Sequence, residues 1–168
     1  ERPVQVAYTT YDGQKYQLHL LNLADTQTEL LTDSVRSPAW SPDAVGLLYY
    51  REAGFNQTDP GLWVFNMVQG KAYPLNQGTS FQELAWSPFR TYIASTQPEG
   101  DLSRLILWDM NRNQAIPGPL GSHPAWSPDG QRLAYRTCDA TGWHINIIPV
   151  TGAIFDPSRV QTLTNGDD

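Results

Sequence analysis

Three segments of the chain repeat one pattern. "SPAWSPDAVGLLYYRE" begins at Ser37, "ELAWSPFRTYIASTQ" at Glu83 and "HPAWSPDGQRLAYRT" at His123. Their tryptophans, Trp40, Trp86 and Trp126, stand 46 and 40 residues apart. A repeat of about 40–45 residues is the length of one four-stranded propeller blade. The register holds beyond the tryptophan: seven residues on come Leu47, Ile93 and Leu133, and eight on come Leu48, Ala94 and Ala134.

After each tryptophan segment comes a second apolar run, "GLWVFNM", "LILWDM" or "INIIPV", and then a weaker third, "YPLNQG", "AIPGPLG" or "VQTLTNG". These read as strands a ("AWS"), b ("GLLYY", "TYIAS", "RLAYR"), c and d of one blade. In the second runs Leu62 to Phe65 and Leu105 to Trp108 are apolar at successive positions. Such strands are buried on both faces, as in blades stacked face to face. Residues 1–33 fit the same template from strand b onward, with "VQVAYTTYDG", "YQLHLLNL" and "TELLTD". Counting back seven from Val6 puts the matching tryptophan before the first residue. The expectation is therefore an all-β propeller segment of antiparallel blades, about 3.75 of them, in one domain over 1–168. Its blades are an incomplete 1–33, then 34–78, 79–121 and 122–168.

The recurring motif carries turn chemistry. Proline presets φ, aspartate tolerates bridge and left-handed backbone, and glycine supplies positive φ. "SPDG" is thus the a–b hairpin turn and the tryptophan a core anchor. The turn decays to "SPDAVG" at 41–46 and "SPFRTY" at 87–92, which a catalytic motif would not tolerate. The other tryptophans are out of register: Trp63 and Trp108 align with other residue types, and Trp143 is expected just before strand c.

"PAWSPDGQRLAYRT", with its following strand c and "LT", resembles the TolB-type, WD-repeat-like β-propeller repeat of bacterial proteins. The resemblance covers essentially the whole chain. It implies a propeller fold and an extracytoplasmic (periplasmic or cell-surface) location, and it is nearly silent on function, since the fold hosts many unrelated roles. Such propellers serve as translocation-complex partners, sensor modules and the non-catalytic propellers of prolyl-oligopeptidase-like enzymes, and also occur among polysaccharide lyases. Rings of this type have six or more blades. Two copies of this chain are therefore expected to join in a homodimer, or further repeats to follow in a parent chain. The open faces would be strand c at Leu18 to Leu21 and at Ile145 to Ile148.

Composition narrows the partners. A net charge of −6 argues against nucleic acid and anionic membranes. No run approaches the roughly 18 apolar residues of a membrane span. Cys138, the single cysteine, excludes an intrachain disulfide and a cysteine-based zinc site. A start on Glu1 reads as a trimmed or mature piece.

The search for chemistry gives little. There is no Gly-x-Ser-x-Gly elbow, phosphate loop or calcium loop. His19, His123 and His144 come from different blades, and His123, before Pro124, takes the slot of Ser37 and Leu84 as a loop residue. Asp139 beside Cys138 argues against a reactive thiol. The chain is thus expected to be no enzyme and to hold no cofactor or metal. Instead, the b–c and d–a connections gather acids on one rim: Asp12, Glu52, Asp59, Glu99, Asp101 and Asp139, with Phe55 as an apolar anchor. These residues are expected to dock a protein or peptide partner, of basic character. The alternative is an accessory propeller of a larger hydrolase or lyase.

Overall fold

Each tryptophan segment opens an antiparallel sheet. The computed structural model describes residues 4–53, 60–77, 80–89, 91–152 and 154–164. Strands β1 (Gln5–Tyr11), β2 (Tyr16–Asn22) and β3 (Thr28–Asp33) form a three-stranded sheet. Strands β4 (Val35–Trp40), β5 (Gly46–Arg51), β6 (Gly61–Asn66) and β7 (Lys71–Gln77) form a four-stranded one, in chain order. The same order recurs in β8 (Gln82–Trp86), β9 (Tyr92–Glu99), β10 (Leu102–Asp109) and β11 (Gln114–Leu120). The last sheet joins β12 (Ser122–Trp126), β13 (Arg132–Asp139) and β14 (Gly142–Thr151). Its outer edge is shared by two short strands, β15 (Ile154–Phe155) and β16 (Gln161–Thr162), both paired to β14. The fold class is all-β, as the repeat predicts.

The chain divides into two compact units, Glu1–Ser80 and Phe81–Asp168. In the first, Leu18, Leu20, Val35, Leu47 and Tyr49 form the core, with Trp40 packed against it. In the second, Ala94, Leu105 and Leu107 meet Leu133, Tyr135, Ile148 and Val150, with Trp126 at the edge. Strand β10 is covered on both faces: Leu105, Ile106, Leu107 and Trp108 are all buried. Strand β14 is not. His144, Asn146, Ile148 and Val150 are buried, whereas Trp143 and Ile145 are exposed. Because side chains alternate along a strand, only half of each expected open run meets water. Leu18 and Leu20 lie in the core of the first unit, contrary to the sequence expectation. Trp143 lies inside β14 and not before it.

The "SPDG" turn is closed by its serine. Ser127 Oγ accepts the Arg132 N–H at 3.0 Å, and the Gly130 N–H donates to the Ser127 carbonyl at 2.8 Å. Ser41 Oγ accepts the Gly46 N–H at 2.8 Å, and Ser87 Oγ the Tyr92 N–H at 3.0 Å. The hydroxyl, five residues before its donor, explains why serine stands in all three turns while the positions after the shared proline change. Gly130 has φ +63°, and Ala44 occupies the same left-handed position at φ +54°.

A feature invisible in the sequence recurs one step before each "AW" pair. Pairing slips between Arg36 and Ala39, Gln82 and Ala85, and Ser122 and Ala125. Each slip is a β-bulge holding a left-handed, non-glycine residue: Ser37 (φ 54°), Glu83 (φ 53°) and His123 (φ 55°). His123 therefore sits within β12, and its counterpart is Glu83, not Leu84. A bulge re-aims a side chain out of the pleat, and this is what brings Glu83 and His123 together.

Candidate functional site

Most acids of the expected rim are committed to local structure. Asp12 accepts the N–H groups of Gln14 and Lys15, both at 2.9 Å, in an Asx turn. Those two bonds hold its carboxyl below the usual range, that to Lys15 foremost. Glu52 pairs with Arg36. Glu99 pairs with Arg104 through both carboxylate oxygens, one at 2.7 Å from Nη2. Asp139 accepts from the Thr141 hydroxyl at 2.6 Å and the Thr141 N–H at 2.8 Å, and faces His144 Nε2 at 3.0 Å. The Thr141 bonds, then His144, keep the Asp139 carboxyl far below the ordinary carboxylate value. Phe55 and Asp59 lie outside the described residues. Asp101, on the β9–β10 turn, has neither an ion pair nor a side-chain hydrogen bond among the described residues.

Asp101 borders a cleft of about 350 Å³ in the second unit. That volume is at the lower end of the usual range for ligand pockets, roughly 300–1,000 Å³. Three segments line it: Asp101–Ser103 on the β9–β10 hairpin, Leu120–His123 between β11 and β12, and Arg136–Cys138 with Trp143 on the β13–β14 hairpin. Glu83 completes the wall. The middle segment lies flat because Gly121 has no side chain. A Cβ there would stand 2.5 Å from the Tyr135 ring and 3.0 Å from the Arg136 carbonyl.

Glu83 is fully engaged. Its Oε2 accepts the His123 N–H at 2.7 Å and the Thr96 hydroxyl at 3.0 Å, and its Oε1 faces His123 Nδ1 at 3.0 Å. Ser122 Oγ lies 3.1 Å from that same Nδ1. Serine and carboxylate thus meet one ring nitrogen. A relay would use both nitrogens, one towards the hydroxyl and the other towards the acid. The trio fastens two bulges together.

Arg136 is placed differently. Its guanidinium lies 4.0 Å from the Trp143 ring centroid, and its Nε is buried with no hydrogen-bond partner. No carboxylate pairs with it among the described residues. In the first unit Arg51 lies 3.8 Å over Trp63 in a similar stack. Cys138 is exposed, its Sγ 3.8 Å from the Asp139 carbonyl. Among the described residues no group of three His, Cys, Asp or Glu is placed to hold a metal ion, and no helix is long and apolar enough to cross a membrane.

The sequence reading found Asp101 but missed Leu102, Leu120, Arg136 and Trp143. The available signal was the spacing of the blades: only Gly121 separates β11 from β12, which holds the two neighbouring hairpins close.

The repeat architecture has solved counterparts. TolB from Acinetobacter baumannii superposes on 95% of this chain with a TM-score of 0.74 at 16% identity. The fold is the TolB-type β-propeller. This TolB-type segment spans 41% of that TolB chain. It also matches the β-propeller domain of the Trilobed protease from Pyrococcus furiosus over 99% of its length, with TM-score 0.62 and 12% identity, and spans 55% of that chain. In sequence it is 26% identical over 141 residues to the uncharacterized peptidase YuxL of Bacillus subtilis, covering 78% of this chain but 22% of YuxL. No family model matches the TolB-type segment.

Proposed function

We propose that this chain is a non-catalytic recognition module that binds a protein or peptide partner at the cleft of its second unit. The observation that carries the reading is a division of labour. The recurring residues (Ser41, Ser87 and Ser127, and the packed tryptophans) close turns and fill cores. The cleft is lined by residue types that do not recur, even where the position does, as at the bulges of Glu83 and His123. Loops held by a rigid sheet scaffold are where binding residues gather. The partner's basic character follows from Asp101 at the cleft edge, within a chain of net charge −6. An extracytoplasmic setting follows from the TolB likeness.

The ring is completed by a second copy or by further blades. Exposed Val4 just before β1 and Val6 within it, and Ile145 and Ile154 in the last sheet, support this part. Sedimentation velocity reads it directly. A dimer of the 168-residue chain favours the second copy, and a monodisperse monomer rules that form out.

A second reading has its own support. The chain matches 22% of the length of a peptidase, which fits an accessory propeller whose catalytic part lies elsewhere in a longer protein. One experiment separates both readings from an enzyme acting alone. The chain is incubated with a peptide pool, and bound and free peptides are weighed by mass spectrometry. Retention at unchanged mass, abolished by Leu102→Arg, is the expected result. Cleaved or otherwise altered peptides would overturn the non-catalytic assignment.

A further inference from the structure

The cleft holds two charges of opposite sign that no described residue matches. Among the described residues Asp101 has no cationic partner and Arg136 no anionic one, although Arg36, Arg104, Arg112 and Arg132 are all paired to acids. Glu83 and His123, also at the wall, satisfy each other. The exposed apolar side chains of Leu102, Leu120 and Trp143 line the same cleft.

A guanidinium lying over an aromatic face still directs its outer N–H donors away from the ring contact, in its own plane, where they suit a carboxylate's two oxygens. The apolar wall suits an aliphatic stem, and Asp101 a cation at the end of it.

Resting on the recognition reading above, we infer that the cleft binds the C-terminal residue of a peptide ending in lysine or arginine. Arg136 takes the terminal carboxylate, Leu102, Leu120 and Trp143 hold the side-chain stem, and Asp101 takes its cationic end. This explains how an acidic chain selects a basic partner without a continuous acidic face. It also fixes which end of the partner is read.

The test uses a dye-labelled hexapeptide with a free C-terminal lysine, followed by fluorescence anisotropy. Competitors are its C-terminal amide and a free-acid analogue ending in norleucine, which keeps the stem without the charge. Each change removes one charge-assisted contact and is expected to weaken binding about tenfold. Arg136→Gln should make acid and amide equal while keeping the preference for lysine. Asp101→Asn, on an exposed turn and safe for folding, should make lysine and norleucine equal while keeping the preference for the acid. Protection of Cys138 from a thiol reagent reports that the peptide occupies this cleft. Competition that ignores both peptide changes, with Cys138 still protected, overturns the end-reading inference and leaves the recognition module standing. Failure of every peptide to bind or to protect Cys138 overturns both.

Discussion

The indole N–H of Trp126 donates to the carbonyl of Ala85, 3.2 Å away. Ala85 directly precedes Trp86, so the tryptophan of one repeat is fastened to the same dipeptide of the repeat before it. The Trp126 ring also stacks on Tyr92, with centroids 6.3 Å apart. Trp126→Phe, which keeps a ring but loses the donor, should cost about 1 kcal/mol. Trp86 is 8% exposed, and Trp86→Ala should cost roughly 3–5 kcal/mol, as for other buried aromatics. Urea denaturation of the two variants checks the ranking. Equal midpoints would remove the tryptophan from its anchoring role.

Gly118 and Phe155 make a second contact between neighbouring sheets. A Cβ on Gly118 would lie 2.6 Å from the edge of the buried Phe155 ring. Gly118→Ala should therefore destabilise by about 1–3 kcal/mol through overpacking. Phe155→Leu, harmful alone, should recover part of that loss in the double variant. Strict additivity in a double-mutant cycle would show that the two residues do not meet.

Ala44 carries a cost that the intact repeat avoids. Its φ of +54° matches the +63° of Gly130 in the equivalent turn, and left-handed backbone penalises a Cβ. Ala44→Gly should raise stability by about 0.5–1 kcal/mol, whereas Gly130→Ala should lower it by at least that much, since its Cβ would also meet the Phe89 ring at 2.9 Å. Thermal melts of both variants give the two signs. A destabilised Ala44→Gly would contradict the turn assignment.

His144 ties the chain's last described residue to the β13–β14 hairpin. Nδ1 faces the Thr164 carbonyl at 3.1 Å, and Nε2 faces Asp139 Oδ1 at 3.0 Å. With the Thr141 hydroxyl turned to Asp139, a proton on each nitrogen satisfies both acceptors, and the imidazolium is favoured accordingly. The Asp139 bond, then the Thr164 carbonyl, raises the His144 value. A raised histidine contributes stability fully below its ordinary value of about 6.5 and loses it as pH climbs through the raised one. Asp139, lowered, contributes above its ordinary value and loses that only in strong acid. The denaturation midpoint should thus fall from pH 6 to pH 8 in the wild type, and fall less in His144→Gln. Parallel slopes would mean that the imidazolium does not hold this strand.

The blades were legible because a large aromatic, a hairpin turn and a buried strand must recur together for the sheets to stack. Trp40, Trp86 and Trp126 mark the ends of β4, β8 and β12, and the fixed spacing to Leu47, Ile93 and Leu133 gave the pairing register. The bulges were not legible. Ser37, Glu83 and His123 adopt positive φ without being glycine, so no residue type announces them. Acids could be counted but not weighed. Asp12 and Asp139 sit in "DGQK" and "DATG", Asx-turn sequences that already account for their carboxylates. The contact of Arg136 with Trp143 was not legible because it is made across a hairpin, nor was the cleft, which gathers three separate segments.

Hydrogen exchange of the chain with and without a bound peptide shows where the peptide sits. Slowed exchange is expected at residues 101–103, 120–123, 136–138 and at Trp143, which line the cleft. Exchange in the a–b turns at 41–46 and 127–132 should be unchanged. Protection centred on those turns, or confined to the first unit, would contradict binding at the cleft.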